Sequence, residues 1–262
     1  MSTVLITGAS GGIGYELAKL FARDRHNLVL VARSAEKLTQ VAAELQKNGV
    51  TVKTIALDLS APPAPRFLFD QLQRENIAVD ILINNAGFGV FGEFAQMPEE
   101  EILGQINLNI SALTELTRLF LPPMIARRSG RIMNVASVAG FQPGPLMAVY
   151  YATKAYVVSF SEAIANEVRK NDMRNSGVTV TCFCPGATHT AFAQRAGIEE
   201  SRLFKLGAMS AEKVALDGYR AVMEGRTLVI SGAHNWVIAQ STRFAPRKMV
   251  TAVSRWIAEK VA

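Results

Sequence analysis

Residues 3–14 read TVLITGASGGIG, and the pattern of this stretch decides the fold. Its first five residues are apolar or β-branched, which predicts a buried strand, and a helical pattern follows from Tyr15 to Arg23. The glycines at 8, 12 and 14 permit a tight turn and a close backbone approach, and the helix N-terminus offers free N–H groups to an anion. The stretch therefore predicts a strand, a phosphate-binding loop and a helix. The alternative is a glycine-rich turn without a ligand.

Short apolar runs alternate with helical stretches along the rest of the chain, which predicts an α/β fold. The candidate strands are residues 4–7, 28–32, 52–57, 81–84, 131–136, 178–183 and 228–231. Right-handed crossovers would join them into one doubly wound parallel sheet in the order 3-2-1-4-5-6-7. The chain has 262 residues, of which 49% are hydrophobic, enough for one substantial core. We therefore expect residues 1–262 to form a single Rossmann-type domain.

Tyr150 and Lys154 stand four residues apart, so a helix would place their side chains on one face. A free tyrosine titrates near pH 10, and lowering its pKa to about 7 needs roughly 4 kcal/mol. An ammonium group at about 4 Å, in an effective dielectric of about 20, supplies roughly that amount. The pair is therefore a candidate proton-transfer site in which Lys154 lowers the pKa of the phenol. Because the same spacing also occurs where the two side chains only pack, the interpretation depends on other motifs.

Four motifs follow one another in the sequence: TGASGGIG at 7–14, NNAG at 84–87, Ser137 with Tyr150 and Lys154, and PGATHT at 185–190. Their order and spacing resemble the short-chain dehydrogenase/reductase family, and the resemblance covers nearly the whole chain. The first motif has the spacing T-G-x-x-x-G-x-G and not the G-x-G-x-x-G of most dinucleotide-binding folds. The resemblance implies an oxidoreductase that acts on a CH–OH group with a nicotinamide cofactor.

The resemblance also assigns catalytic roles. Ser137, thirteen residues before Tyr150, would hydrogen-bond the carbonyl oxygen of the substrate, and Tyr150 would donate the proton. Lys154 would lower the pKa of the phenol and bind the nicotinamide ribose. Tyr151 lies about 100° around the helix from Tyr150, so we expect it to pack or to line the substrate pocket.

Two asparagines, Asn107 and Asn109, compete for the fourth catalytic position of the family. In the family this residue lies in the long helix before the serine strand and anchors a water near the lysine, which completes a proton relay. Counting back from the Leu-Pro pair at 121–122, which marks the helix end in the family, selects Asn109.

The end of the second predicted strand indicates which cofactor the chain would bind. NAD-binding folds of this kind place an acidic residue there to bond the ribose 2′-hydroxyl. Here residues 32–34 read ARS, so a 2′-phosphate would meet the Arg33 guanidinium, with Lys37 one turn further on. NADP(H) is therefore favoured over NAD(H). Two points oppose this: Gly11 stands where many NADP-preferring relatives carry a basic residue, and Arg33 could be a solvated surface residue.

Further cofactor contacts follow from the resemblance. Asp58 and Leu59 would bracket the adenine, and residues 85–87 would line the adenosine ribose. The full predicted set is Gly8, Ser10, Gly12, Ile13, Gly14, Arg33, Lys37, Asp58, Leu59, Asn85, Ala86, Gly87, Tyr150, Lys154, Pro185, Gly186, Thr188 and Thr190. The histidines have no second ligand at metal-like spacing, so no metal site is predicted.

The predicted substrate pocket has mostly apolar walls. They are residues 88–91, the loop 141–147 and a lid that spans about 187–209. Such walls favour a lipophilic ketone, aldehyde or secondary alcohol, although apolar lining is usual for ligand sites. The leading hypothesis is an NADPH-dependent carbonyl reductase, reversible to alcohol oxidation. The alternatives are a 3-oxoacyl thioester reductase and an NADP-binding sensor or scaffold without catalysis.

The net charge and the two cysteines exclude few classes of function. The net charge of +6 comes from lysines and arginines spread along the chain, which indicates a solvated surface and not a nucleic-acid site. Cys182 and Cys184 share one side of a strand and are interpreted as buried hydrophobic residues in preference to a redox pair. The sequence opens directly with a strand, so we expect no signal peptide and a cytoplasmic protein.

A basic amphipathic helix is predicted at about 245–262. It combines Arg247, Lys248, Arg255 and Lys260 with Met249, Val250, Val253, Trp256 and Ile257 at helical spacing. Such a helix could lie on an anionic membrane, but docking on the pocket or on a neighbouring subunit is favoured because terminal helices usually dock. The family resemblance also implies a homodimer or homotetramer, built through the helix that begins at Tyr150 and its neighbour.

Overall fold

The computed structural model describes residues 1–170, 176–202 and 207–259. Its central sheet contains β1 (Thr3–Thr7), β2 (Asn27–Ala32), β3 (Val52–Ala56), β4 (Ile81–Asn84), β5 (Gly130–Val135), β6 (Val178–Cys184) and β9 (Leu228–Ile230). These strands are parallel and lie in the order β3-β2-β1-β4-β5-β6-β9. Two short strands, β7 (Thr188–His189) and β8 (Met209–Ser210), pair separately. The predicted fold class and strand order are confirmed, with β9 as the seventh strand of the main sheet.

Helices connect the strands and cover both faces of the sheet. They are α1 (Gly12–Arg23), α2 (Ala35–Leu45), α3 (Ala64–Arg74), α4 (Glu99–Ile106), α5 (Leu113–Ala126), α6 (Ala148–Lys170), α7 (Ala191–Ala196), α8 (Ala211–Met223), α9 (Ala233–Ser241) and α10 (Arg247–Ala258). The predicted first helix began at Tyr15; the observed one begins at Gly12, because the last glycines of the loop already form its first turn. In the ranges that the structure covers, none of the helices combines the length and apolarity needed to cross a membrane.

The core consists of one apolar layer on each face of the sheet. In β1, Val4 and Ile6 join the layer that includes Phe21 of α1, whereas Leu5 points to the layer that includes Leu68 of α3 and Phe120 of α5. Successive side chains of a strand point to opposite faces, so a strand covered on both sides must be apolar throughout. This explains the continuous apolar runs of residues 4–6 in β1 and 28–32 in β2.

The carboxyl ends of β1 and β4 are held together by hydrogen bonds. The Thr7 hydroxyl accepts from the backbone N–H groups of Asn85 (3.0 Å) and Ala86 (2.9 Å) and donates to the carbonyl of Ile83 (3.3 Å). In return, Asn85 Nδ2 donates to the carbonyls of Thr7 (2.9 Å) and Gly8 (3.3 Å). The chain changes winding direction between β1 and β4, which is where ligands bind in such sheets. The hydrogen bonds therefore fix the two loops that border this crevice.

Gly14 allows α1 to cross close to the end of β1. A Cβ at this position would lie 2.4 Å from the Gly8 carbonyl oxygen and 2.5 Å from Asn85 Nδ2. Gly11 is its matched control, because its backbone is extended (φ 175°) and a Cβ there would have no atom within 4 Å.

We expect Gly14→Ala to lower the free energy of unfolding, measured by urea denaturation, by about 1–2 kcal/mol. Overpacking against backbone costs about 1–3 kcal/mol, and the better helix propensity of alanine offsets about 1 kcal/mol at most. Gly11→Ala should leave stability unchanged or raise it slightly, because it only restricts the unfolded chain. Equal losses in the two variants would contradict the close approach of α1 and β1.

Candidate active site

Helix α6 presents Tyr150 and Lys154 on one face, as their spacing predicts. The Lys154 ammonium lies 5.7 Å from the centre of the Tyr150 ring. Its Nζ donates to the carbonyl of Val135, the last residue of β5, at 2.8 Å, and the side chain is only 5% exposed. The lysine is therefore fixed between α6 and the end of a central strand.

Ser137 follows β5 and reaches the same place from the other side. Its Oγ accepts from the backbone N–H of Ala139 (3.1 Å) and donates to the carbonyl of Pro185 (3.3 Å). Its hydroxyl is also close enough to Tyr150 to lower the pKa of the phenol. The structure thus brings Ser137, Tyr150 and Lys154 together, although they come from a strand end and a helix.

The predicted effect of Lys154 on the phenol is wrong in this structure. Burial raises the pKa of Tyr150 above its ordinary value, and the nearby Ser137 hydroxyl lowers it only in part. Desolvation favours the uncharged phenol, and the ammonium donates its hydrogen bond to the Val135 carbonyl. Tyr150 is therefore held in its protonated form, which is the form that a proton donor needs.

The pKa of Lys154 is shifted in the opposite direction to that of Tyr150. Burial lowers the pKa of its ammonium to about 8, against an ordinary value of 10.5. The nearby Cys184 and Cys182 act in the opposite direction to a smaller extent. Both thiols are fully buried and free, with their sulfurs 3.7 Å apart, so they form part of the apolar floor beneath the lysine.

Asn109 lies in a π-helical segment, Asn107–Ala112, between α4 and α5. Its Nδ2 donates to the Phe88 carbonyl (2.8 Å) and to the Thr153 hydroxyl (3.1 Å), and its Oδ1 accepts from the Phe88 N–H (3.1 Å). A Cβ on Gly87 would lie 3.0 Å from Asn109 Oδ1 and 3.4 Å from Lys154 Nζ, so both polar ends face one small space. Asn109 is 1% exposed, whereas Asn107 is only partly buried. The geometry agrees with the choice of Asn109 over Asn107.

The pocket walls form around Tyr150 much as the sequence suggests. Gly89 lies against its ring, because a Cβ there would be 2.9 Å from two ring carbons and 3.0 Å from Met147 Cε. Phe192 of α7 approaches from the lid, with ring centres 5.2 Å apart. Tyr151 is 8% exposed and packs under Gly144, where a Cβ would be 2.2 Å from its ring. Tyr151 therefore packs against the loop and does not share the face of Lys154.

The glycine-rich loop has the shape that a pyrophosphate requires. Gly8 and Gly12 adopt positive φ angles of 67° and 55°, which other residues rarely adopt. A Cβ on Gly12 would lie 3.0 Å from the Thr190 side chain, so the lid closes directly against the loop. Within the described chain, no side chain caps the N-terminus of α1, and its first turn contains no acidic residue. Free N–H groups and the helix dipole are thus available to an anion.

Charged groups gather at the end of the crevice where the adenosine is predicted to bind. Burial raises the pKa of Asp58, but hydrogen bonds from Ser60 and the charges of Arg33 and Arg195 together lower it below its ordinary value. Arg195 belongs to α7, and its guanidinium carbon lies 4.2 Å above the centre of the Phe88 ring. Sequence reasoning missed Arg195, because no motif marks a single arginine in a lid.

The other predicted cofactor residues differ in exposure, and Lys37 is the most clearly exposed of those described below. Leu59 and Thr188 are buried, and Ser10, Ile13 and Gly186 are half-buried. Gly186 is covered by Asn235, since a Cβ there would be 2.2 Å from Asn235 Nδ2, and no sequence motif marks Asn235. Lys37 is exposed, and only its backbone N–H has a defined role, as donor to Ser34 at the start of α2.

The predicted lid of about 187–209 contains β7, α7 and β8. Its residues 203–206 lie outside the described part of the chain. Pairing of β7 with β8 joins the start and end of the lid, and Thr190 caps α7 by accepting from the Phe192 N–H (3.3 Å). Among the residues described, no three His, Cys, Asp or Glu side chains form a group that could hold a metal ion.

The sequence matches the short chain dehydrogenase family over residues 2–201. The chain therefore belongs to this family of oxidoreductases, and the resemblance found in its motifs is confirmed. It is 37% identical over 184 residues to the ketoacyl reductase HetN of Nostoc sp., a match covering 70% of this chain and 62% of that protein. The matched region spans 51% to 62% of the length of the first four curated relatives.

Solved structures of this family have the same fold. A short-chain dehydrogenase from Sphingobium yanoikuyae in complex with NADPH is 35% identical, with a TM-score of 0.82 over 93% of this chain and 94% of that one. An alcohol dehydrogenase from Comamonas testosteroni, described as specific for bulky-bulky ketones, is 30% identical, with a TM-score of 0.77 over 93% and 92%. Together with the glycine loop, these similarities support binding of a nicotinamide dinucleotide.

The lowered pKa of Lys154 contributes to the pH dependence of stability. Between about pH 8 and 10.5 this side chain binds more protons in the unfolded chain than in the folded one, so its contribution to the free energy of unfolding rises with pH in this window. We expect the wild type to gain about 1–2 kcal/mol relative to Lys154→Met between pH 8 and 9.5, measured by urea denaturation at both pH values. A parallel pH dependence in the two proteins would contradict the burial of a titrating ammonium.

Proposed function

We propose that the protein is an NADPH-dependent oxidoreductase that reduces a lipophilic ketone or aldehyde to the alcohol, and that the reaction is reversible. The observation that carries this proposal is that Ser137 and Lys154 both lie beside the half-buried side chain of Tyr150. This set lies beside a glycine loop shaped for a pyrophosphate. A protein that acts only as a sensor or scaffold does not require Ser137, Tyr150 and Lys154 together, so catalysis is the better interpretation.

Each side chain of the set has a distinct task in this proposal. The cofactor, when bound, supplies or accepts the hydride. Ser137 would donate a hydrogen bond to the carbonyl oxygen of the substrate, where negative charge develops. Tyr150 would then transfer its proton to that oxygen, and the burial that raises its pKa keeps the proton in place until charge develops. Lys154 and Asn109 both face Gly87, and the proton would be replaced from this side.

The walls of the pocket support a lipophilic substrate. Met147, Tyr151 and Phe192 belong to one apolar cluster around Tyr150, so the reacting carbonyl would be enclosed by apolar side chains. The similar alcohol dehydrogenase from Comamonas testosteroni is described as specific for bulky-bulky ketones, which supports a ketone substrate. A panel of ketones, aldehydes and alcohols, each tested with NADPH or NADP and with NADH or NAD, is the direct experiment. Cofactor binding without turnover of any member would refute the proposal.

A 3-oxoacyl thioester is the second candidate substrate. It is favoured by the similarity to a ketoacyl reductase, HetN, although that match covers only 62% of the relative. The net charge of +6 would also suit a phosphate-bearing acyl carrier. Including an acetoacetyl thioester and its free ketone in the panel separates the two candidates, because activity confined to free ketones excludes the thioester.

We also propose that the protein is a cytoplasmic homo-oligomer that associates through α6. On this helix Tyr156 is 36% exposed, and its ring stacks on Phe160 with ring centres 5.6 Å apart. Its hydroxyl lies 2.9 Å from Thr114 Oγ1, so α5 and α6 present one continuous surface. Partly exposed aromatic residues of this kind are enriched in protein interfaces.

The assignment of the proton donor predicts a difference between two adjacent tyrosines. Tyr150→Phe should lower kcat by about 10²–10⁴-fold, the usual contribution of a positioned general acid. The dissociation constant of NADPH, measured by fluorescence titration, should stay within about threefold, because only one oxygen is lost. Tyr151→Phe is the matched control and should keep its rate within about an order of magnitude. The reverse ranking would refute the mechanism.

The preference for NADPH predicts a selective effect at Arg33. Arg33→Ala should weaken NADPH binding about tenfold or more, because a charge-assisted hydrogen bond to the 2′-phosphate contributes about 1.5–3 kcal/mol. NADH binding should change by less than about twofold, since NADH presents only hydroxyls there. Titrating both cofactors into wild type and variant checks this. A comparable loss for both would leave the NADP preference without support.

A further inference from the structure

Exposed apolar side chains concentrate near the C-terminus. Six of the eleven large hydrophobic residues that are exposed in the described chain fall between positions 236 and 256: Trp236, Val237, Phe244, Met249, Val253 and Trp256. They lie on α9, on the turn at 242–246 and on α10, which together we call the C-terminal surface. Phe244, at the turn, is 88% exposed, so the fold itself gives this ring no cover.

Helix α10 divides its apolar residues between two sides. Val250 and Ile257 are half-buried beside the buried Ser254 and Ala258, and this side docks on the fold. Within this chain, the stripe of Met249, Val253 and Trp256 is 47–54% exposed at a spacing of four and three residues. The predicted packing of the apolar face on a neighbouring subunit stays a prediction for these residues. The predicted Lys260 lies outside the described residues.

Positive charge surrounds this exposed stripe. Arg243, Arg247, Lys248 and Arg255 are all exposed, and the sequence from 233 to 259 contains one acidic residue, Glu259. Glu259 is shared between Arg255 (3.4 Å) and Arg202 (3.6 Å). Lys248 and Arg255 lie about 100° around α10 from the stripe, on the side away from the docked residues. Apolar and aromatic side chains flanked by cations complement an anionic lipid surface.

A second copy of the chain fits this surface less well. A two-fold interface brings the same patch of both subunits together, so the cations of one copy would face those of the other. Interface cores are depleted in unpaired charge, and the C-terminal surface has only one carboxylate to neutralise its four exposed cations. Anionic headgroups would supply the missing negative charge while the apolar side chains enter the headgroup boundary.

We propose that the C-terminal surface binds the protein reversibly to an anionic lipid surface. Contacts between the C-terminal surface and the lid connect lipid binding with the active site. The Arg202 guanidinium stacks on the Trp256 ring at 4.9 Å and donates to the Trp256 carbonyl at 2.8 Å. The lid would thus rest beside the lipid, which gives a lipophilic substrate a short route to the pocket; this last point rests on the proposed function, whereas lipid binding does not.

Vesicle co-sedimentation of the full chain tests the proposal without any assay of activity. Wild type should sediment with vesicles of equal phosphatidylglycerol and phosphatidylcholine, bind phosphatidylcholine alone at least tenfold more weakly, and dissociate in 0.5 M salt. The double variant Phe244→Ser/Met249→Ser should lose at least tenfold in affinity, and so should Arg247→Glu/Lys248→Glu. These positions are exposed, so unchanged thermal melting would establish that each variant is folded.

The matched control is Phe94→Ser. Phe94 is 60% exposed, but it lies among the acidic residues Glu93, Glu99, Glu100 and Glu101, so its loss should change vesicle affinity by less than twofold. Wild type that stays in the supernatant with anionic vesicles would overturn the proposal. So would substitutions that abolish self-association, seen by analytical ultracentrifugation, without reducing vesicle binding; that result would assign the surface to a second copy.

Discussion

One threonine hydroxyl joins the two loops on which the site depends. Thr7 Oγ1 accepts two backbone N–H groups from the loop after β4, and the side chain of Asn85 returns two hydrogen bonds to the loop after β1. One loop bears the glycine turn, and the other brings Gly87 against Asn109 and Lys154. Because both loops are fixed by the same few bonds, the glycine turn and Gly87 are held at a fixed separation.

A second constraint is the burial of an ammonium group beneath the site. Lys154 is 5% exposed, and among the described residues its ammonium donates to one group, the backbone carbonyl of Val135. An ammonium with so few partners is costly to bury, and its pKa falls accordingly. Hydroxyl groups of a bound ribose would offer the lysine additional acceptors. Binding of the ribose would then offset part of the free-energy cost of burying the Lys154 ammonium. Cofactor affinity would therefore be coupled to the charge of this residue.

Most of the fold can be predicted from the sequence because its signals are local. Strands β1 and β2 are apolar on both faces, and the glycines of the first loop are required by two positive φ angles and by one close helix crossing. The positions of Ser137, Tyr150 and Lys154 follow from motif spacing, and Asn109 from a count within one helix. Each of these predictions needs only the chain near the residue concerned.

Predictions that depended on distant neighbours were the ones that failed or were missed. The direction of the Tyr150 pKa depends on how completely Gly89, Met147 and Phe192 enclose the ring, which spacing cannot reveal. Arg195 is significant only because α7 folds back over Phe88. The apolar residues of α10 look alike in a helical pattern, and only the docked fold decides which of them are covered.

The π-helical segment Asn107–Ala112 restricts the number of residues that this part of the helix can contain. A π turn uses one residue more than an α turn, so the segment acts as a one-residue insertion absorbed within a continuous helix. Deleting one residue would rotate one half of the helix by about 100° relative to the other. Either Asn109 would leave the space beside Gly87, or Leu116 and Phe120 of α5 would leave the core. Across evolution, substitutions in this segment would therefore be easier to accommodate than a change in its length.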